Sequence, residues 1–211
     1  MMYKPLLALA VAFALPVALF ADPITGTLAA QGSDSFTSST ITFGTDGMVN
    51  GGPGANTGSF SILPDGTPIT FFPAFPPSTP LPYMQGVNMV PSGLQPLTLF
   101  STSASGETFN FIMNDYTANY FTGNGCLSGA VCLTATGDGY FTASGTTPYT
   151  SSPGSFTFTS QLASGQTSTT FSASAVAIPS SVPEPASIAL LGSGMLGLAE
   201  IVRRRMNTSL Q

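Results

Sequence analysis

Apolar and polar residues alternate strictly in Phe109-Asn110-Phe111-Ile112-Met113 and in Ser155-Phe156-Thr157-Phe158-Thr159. A period of two places every second side chain on one face, which is the pattern of a half-buried strand. Thr40-Ile41-Thr42-Phe43, Leu97-Thr98-Leu99-Phe100, Tyr140-Phe141-Thr142-Ala143 and Thr170-Phe171-Ser172-Ala173-Ser174-Ala175-Val176 read similarly, and no interior stretch carries a convincing helical period. Asp46-Gly47, Asn50-Gly51, Asp65-Gly66, Asn124-Gly125 and Asp138-Gly139 punctuate these runs, and such dipeptides tolerate the positive φ of hairpin turns. Many short strands so punctuated predict an all-β fold. The expectation is one antiparallel β-sandwich domain over residues 22–178, with a jelly roll as a variant.

The charges are placed unusually. All four basic residues, Lys4, Arg203, Arg204 and Arg205, flank apolar segments at the two ends, and the chain has no histidine. Residues 22–182 hold Asp22, Asp34, Asp46, Asp65, Glu107, Asp115 and Asp138 and no cation, a formal charge of −7. Nucleic acid is excluded as a partner, because phosphate binding relies on Lys and Arg. Charged residues make up only 6% of the chain, about a quarter of normal usage. The many phenylalanines supply the apolar surface for a core, so the domain is read as folded.

Without histidine, Ser-His-Asp and Cys-His machinery and His-ligated metals are ruled out, and without interior Lys or Arg so are charged oxyanion clamps. What remains is a carboxylate pair of the glycosidase kind, for which the candidates are Glu107, Asp115 and Asp138. Each has an ordinary explanation: Glu107 follows Gly106 at a strand start, Asp115 follows Asn114 in a turn, and Asp138 sits in an Asp-Gly turn. No Asp-x-Asp-x-Asp calcium loop is present, so calcium would require sequence-distant loops to converge. The expectation is a non-catalytic protein without cofactor or metal.

Cys126 and Cys132, the only cysteines, predict one local disulfide in an exported chain. Residues 64–96 hold nine of the eighteen prolines, which predicts an extended edge or a surface-crossing loop. Phe72, Phe75 and Tyr83 within it either form an aromatic binding surface or pack beneath the loop.

The two ends carry addresses. Lys4, an apolar run from Leu6 to Leu15, Pro16 and the small Ala21 before Asp22 predict a secretory signal peptide over residues 1–21, cut between Ala21 and Asp22. Residues 179–185 form a linker that ends in Val182-Pro183-Glu184-Pro185. Its prolines bias the backbone away from helix, leaving the extended exposed segment that a protease cleft grips. Residues 186–202 are mostly apolar and carry no charge apart from Glu200. As a helix they would span about 25 Å, a marginal transmembrane helix. Ser193 and Gly197 are spaced for a small-residue helix contact, although ordinary membrane-helix composition accounts for them better. Arg203, Arg204 and Arg205 in the tail 203–211 form the cationic flank that stays cytoplasmic.

This tripartite terminus resembles the PEP-CTERM sorting signal, which joins a Pro-Glu-Pro motif, a hydrophobic helix and an Arg cluster. The resemblance implies export, a temporary anchor in the inner membrane, and recognition and cleavage near the motif by an exosortase, a membrane-embedded cysteine transpeptidase. It also implies a setting among Gram-negative bacteria in exopolysaccharide and biofilm production. The functional expectation is therefore a structural protein of the cell surface or extracellular matrix, with exopolysaccharide as a candidate partner. The alternative is a carbohydrate- or calcium-binding extracellular module.

Overall fold

Period-two patterning becomes long strands. The computed structural model describes residues 21–52, 54–71, 80–91, 97–123, 125–167, 169–178, 192–195 and 197. The chain divides into two compact units, Met1–Pro179 and Ser180–Gln211. In the first, the strands are β1 (Asp22–Pro23), β2 (Gly26–Phe36), β3 (Thr40–Phe43), β4 (Met48–Val49), β5 (Ile69–Phe71), β6 (Leu81–Pro82), β7 (Asn88–Met89), β8 (Leu97–Ala104), β9 (Glu107–Thr122), β10 (Val131–Gly145), β11 (Tyr149–Thr150), β12 (Ser152–Leu162) and β13 (Thr169–Ala177). In the second, residues 192–195 and 197 are helical.

Eleven strands form one continuous sheet in the order β5-β8-β9-β10-β12-β13-β2-β3-β6, with β4 also pairing β2 and β7 also pairing β9. The sheet closes on itself. β4 pairs β2 through Ala30 and Gln31 on one side, and on the other it exchanges backbone bonds with the chain entering β5: Val49 N–H to Thr67 O at 2.8 Å and Gly66 N–H to Val49 O at 3.0 Å. Farther along, residues 80–89 bridge β3 to β9, with Tyr83 N–H donating to Ser39 O at 2.8 Å and Gly86 N–H to Ala118 O at 3.0 Å. Closure removes the unpaired edges that invite association. The all-β antiparallel class stands, and the two walls of the predicted sandwich are opposite sides of one closed sheet. Its connections run as a meander closed by the N-terminal strands, without the crossings of a jelly roll.

The interior is aromatic. Phe43 stacks on Phe71 at 4.9 Å and meets Phe158 edge-on at 5.4 Å. Phe111 contacts Phe100, Phe141 and Phe156 at 5.6, 5.0 and 5.7 Å. Such pairs add about 0.5–1.5 kcal/mol each beyond the area they bury. A short 3-10 turn, Gly58–Ile62, plugs one end with Phe60, whose ring lies 5.2 Å from Phe109 and 4.9 Å from Phe141.

All six strand runs singled out in the sequence lie within strands, and Thr40–Phe43 coincides with β3. Two turn expectations are corrected. Asp138-Gly139 lies in mid-β10, and Asp115 lies in mid-β9 opposite it. The ladder pairs Asp138 with Asp115 and then Gly139 with Met113, leaving Asn114 as the extra residue of a β-bulge. That extra residue switches the inward phase of β9 from Phe109, Phe111 and Met113 to Tyr116 and Ala118, as the period of two requires.

The proline-rich stretch supplies more than a loop. Ile69 and Phe71 of β5 are core residues, whereas β6 and β7 are two-residue strands of the segment that bridges β3 and β9. Tyr83 packs inside, its hydroxyl donating to Thr37 O at 2.5 Å, and burial pushes its phenol up to about 12. Phe72 and Phe75 lie outside the described residues. Cys126 and Cys132 form the expected disulfide, with Cα atoms 5.9 Å apart.

Candidate functional site

The bulge in β9 builds a polar concavity on the outer wall. Because Asn114 shifts the phase, Asp115 turns outward directly across from Asp138, and Asp138 is itself in register with Ser155 of β12. Thr117, Thr136, Thr157 and Asn88 complete a groove of about 440 Å³. Beneath it the inward positions of β10 are glycines. A Cβ on Gly137 would stand 2.2 Å from Asp115 O, and one on Gly139 would stand 2.1 Å from Ile112 O. Only glycine permits the close backbone approach that sets the two carboxylates side by side.

Glu107, the third sequence candidate, is elsewhere. It opens β9 opposite Gly145 and is 3% exposed. Its Oε1 accepts bonds from Thr146 Oγ1 at 2.6 Å, Thr147 N–H at 2.7 Å and Thr146 N–H at 2.9 Å. The Thr146 hydroxyl first, and then the Thr147 amide, hold this carboxyl below the usual carboxylate range. Glu107 thus staples the loop after β10 and does not join Asp115 and Asp138. Among the described residues no group of three or more His, Cys, Asp and Glu side chains is placed to hold a metal ion.

One carboxylate was not singled out by the sequence reading. Asp34 is 2% exposed and accepts a bond from the buried Ser160 Oγ at 2.8 Å, while its Oδ2 has no hydrogen-bond partner. Burial raises its pKa to about 7, against the opposing effect of the Ser160 hydrogen bond. The signal was present in phase: Leu28, Ala30, Asp34 and Phe36 are all buried even-numbered positions of β2, so a strand read from Leu28 already points Asp34 inward.

The sorting residues Val182, Pro183, Glu184, Pro185, Arg203, Arg204 and Arg205 lie outside the described residues, as do Glu200 and the leader up to Phe20. Ser193 and Gly197 are in helical positions. Among the described residues no helix is long and apolar enough to cross a membrane. Ala21 and Asp22 are described, and Asp22 begins β1.

Comparison with known proteins bears on this C-terminal unit. Residues 181–205 match the PEP-CTERM protein-sorting motif. The class defined by fold and tail together is an exported all-β protein that carries an exosortase sorting signal and is anchored in the membrane before processing. The match covers those 25 residues of the 211-residue chain, so what is shown is the sorting motif that the chain carries. No curated protein and no solved structure matches the chain.

Proposed function

We propose that this protein is a non-catalytic structural constituent of the cell surface or extracellular matrix, released into exopolysaccharide or biofilm after an exosortase removes its tail. The observation that carries the reading is the sorting motif at residues 181–205, joined by a short linker to a closed barrel. The barrel itself supports it. Its sheet closes on itself, its core is aromatic, and a domain without Lys, Arg or His lacks imidazole and amine bases and cationic clamps. A leader cut between Ala21 and Asp22, and an inner-membrane anchor over residues 186–202, complete the route. The test is expression in a host with and without its exosortase. Loss of the tail and release of the barrel only in the exosortase-positive strain are expected, and identical C-termini in both strains would sink the reading.

The outer-wall groove favours a second reading, a carbohydrate-binding module. Carboxylates, hydroxyls and an amide from Asp115, Asp138, Thr117, Thr136, Ser155, Thr157 and Asn88 are the donor and acceptor types that sugar hydroxyls pair with. Calorimetry with host exopolysaccharide, with and without calcium, decides it. Heat of binding that disappears in Thr136→Val and Thr157→Val supports the module, and no heat at high protein concentration removes it.

A further inference from the structure

The first residues of the exported domain are part of its fold. β1 pairs in parallel with β11, Asp22 beside Tyr149 and Pro23 beside Thr150. Asp22 N–H donates to Pro148 O at 3.1 Å, and Ile24 N–H donates to Thr150 O at 3.3 Å. Ile24 is 0% exposed. Thr25 and Ser59 then bond in both directions, Thr25 N–H to Ser59 Oγ at 3.1 Å and Ser59 N–H to Thr25 O at 2.8 Å. The chain is therefore fixed within two residues of the Ala21–Asp22 bond.

The loop that receives Asp22 is the one Glu107 staples. Pro148 O takes the Asp22 N–H, and Thr147 N–H, one residue earlier, binds Glu107 Oε1. Glu107 Oε2 is buried without a partner. No residue between Pro5 and Val202 is Lys, Arg or His, so no side chain of the domain can supply this corner with a positive charge.

Resting on the export reading above, we propose that leader cleavage itself supplies that charge, and that the loop carrying Pro148, backed by the Glu107 carboxylate, is the seat of the new amino terminus. Hydrolysis breaks the C–N bond between Ala21 and Asp22. Water gives its hydroxyl to the Ala21 carbonyl and its remaining proton to the Asp22 nitrogen, and the proton shed by the new Ala21 carboxyl makes that nitrogen an ammonium, the only cation of the exported domain. In the uncut chain the same atom is a neutral amide. After the cut it offers Pro148 O a charge-assisted hydrogen bond, one residue along the loop from the Thr147 N–H that binds the Glu107 carboxylate. Processing thus locks β1 in place.

The cleaved chain has lost Lys4, so its α-amine is the only amine it carries, and an N-hydroxysuccinimide acetate reagent acetylates that one position. The experiment uses the exported chain purified in detergent with its C-terminal segment intact. Mass spectrometry first reads the amino terminus: a first residue other than Asp22 removes the export reading's cleavage site, and the proposal with it. With Asp22 first, acetylation is expected to lower the melting temperature by about 2–4 °C at pH 7. At pH 10, above the ordinary range of an α-amine, free and acetylated chains should melt together. Glu107→Gln should shrink the pH 7 difference. Equal melting temperatures for free and acetylated chains at pH 7 overturn the seat while leaving the cleavage site standing.

Discussion

Asp34 on β2 and Ser160 on β12 meet inside the barrel, 126 residues apart in sequence, through a 2.8 Å hydrogen bond from Ser160 Oγ to Asp34 Oδ1. One hydroxyl does not compensate a buried carboxylate, and burial carries its pKa from 3.8 to about 7. Between these values the native state holds a proton that the unfolded chain has released. The contribution of Asp34 to stability is therefore greatest below pH 4, falls as pH rises, and levels off above pH 7. The fall is roughly 2–4 kcal/mol. Asp34→Asn, which keeps an oxygen for Ser160, should flatten this slope and raise stability at pH 8. Urea unfolding at pH 5 and pH 8 measures both, and an unchanged slope in the variant would assign the pH dependence to another group.

Asp115 and Asp138 face each other across β9 and β10 with no Lys, Arg or His nearby to neutralise them. Like charges directly opposite in a ladder are destabilising, by about 0.2–1 kcal/mol. Asp115→Asn and Asp138→Asn should each stabilise the barrel by that amount at low salt. The gain should fade at 1 M salt, where the screening length is about 3 Å. A gain that persists at high salt would trace to something other than charge.

The same bulge shows where sequence reading stops. Local alternation located Phe109 to Met113 and Tyr140 to Ala143 as strands, because pairing a period-two segment needs no distant information. The full lengths of β9 and β10 were hidden, since Asn114-Asp115 and Asp138-Gly139 both look like turns. They look so because they pair with each other, one as the bulge and one as the glycine-lined stretch beneath it. The contact of β4 with Thr67 and the bond from Ser160 to Asp34 are likewise products of register between segments far apart in the chain. The groove was legible as residue types, Asp115 and Asp138, but not as a place. Glu107 was read correctly as a strand start, while its clamp on Thr146 and Thr147 depends on the end of β10 arriving beside it.

Gly139 has no room for a methyl group, because its Cβ would stand 2.1 Å from Ile112 O and 3.0 Å from the Phe111 ring. Relief requires moving backbone at the bulge. Gly139→Ala should cost about 3 kcal/mol. Gly66→Ala, a control at the β-turn where a Cβ meets nothing within 4 Å but φ is +76°, should cost about 1 kcal/mol through backbone strain alone. Chemical denaturation of the two variants gives the comparison. Equal losses would show that the bulge yields more easily than its contacts indicate.

The disulfide between Cys126 and Cys132 closes a short loop, with a sequence separation of 6. The loop has its own supports, Cys126 N–H to Gly123 O at 2.8 Å and Ala130 N–H to Leu127 O at 2.9 Å. The flanking ladder of β9 and β10 extends from Val131–Thr122 to Gly145–Glu107, far beyond the Cys132–Phe121 pair next to the bond. In the chain-entropy account so small a loop contributes about 2 kcal/mol. Cys126→Ser with Cys132→Ala should therefore lower the melting temperature by about 4–8 °C while leaving the circular dichroism of the sheet unchanged. A variant that loses its sheet signal at 25 °C would show that the bond determines the fold and does not merely staple a loop.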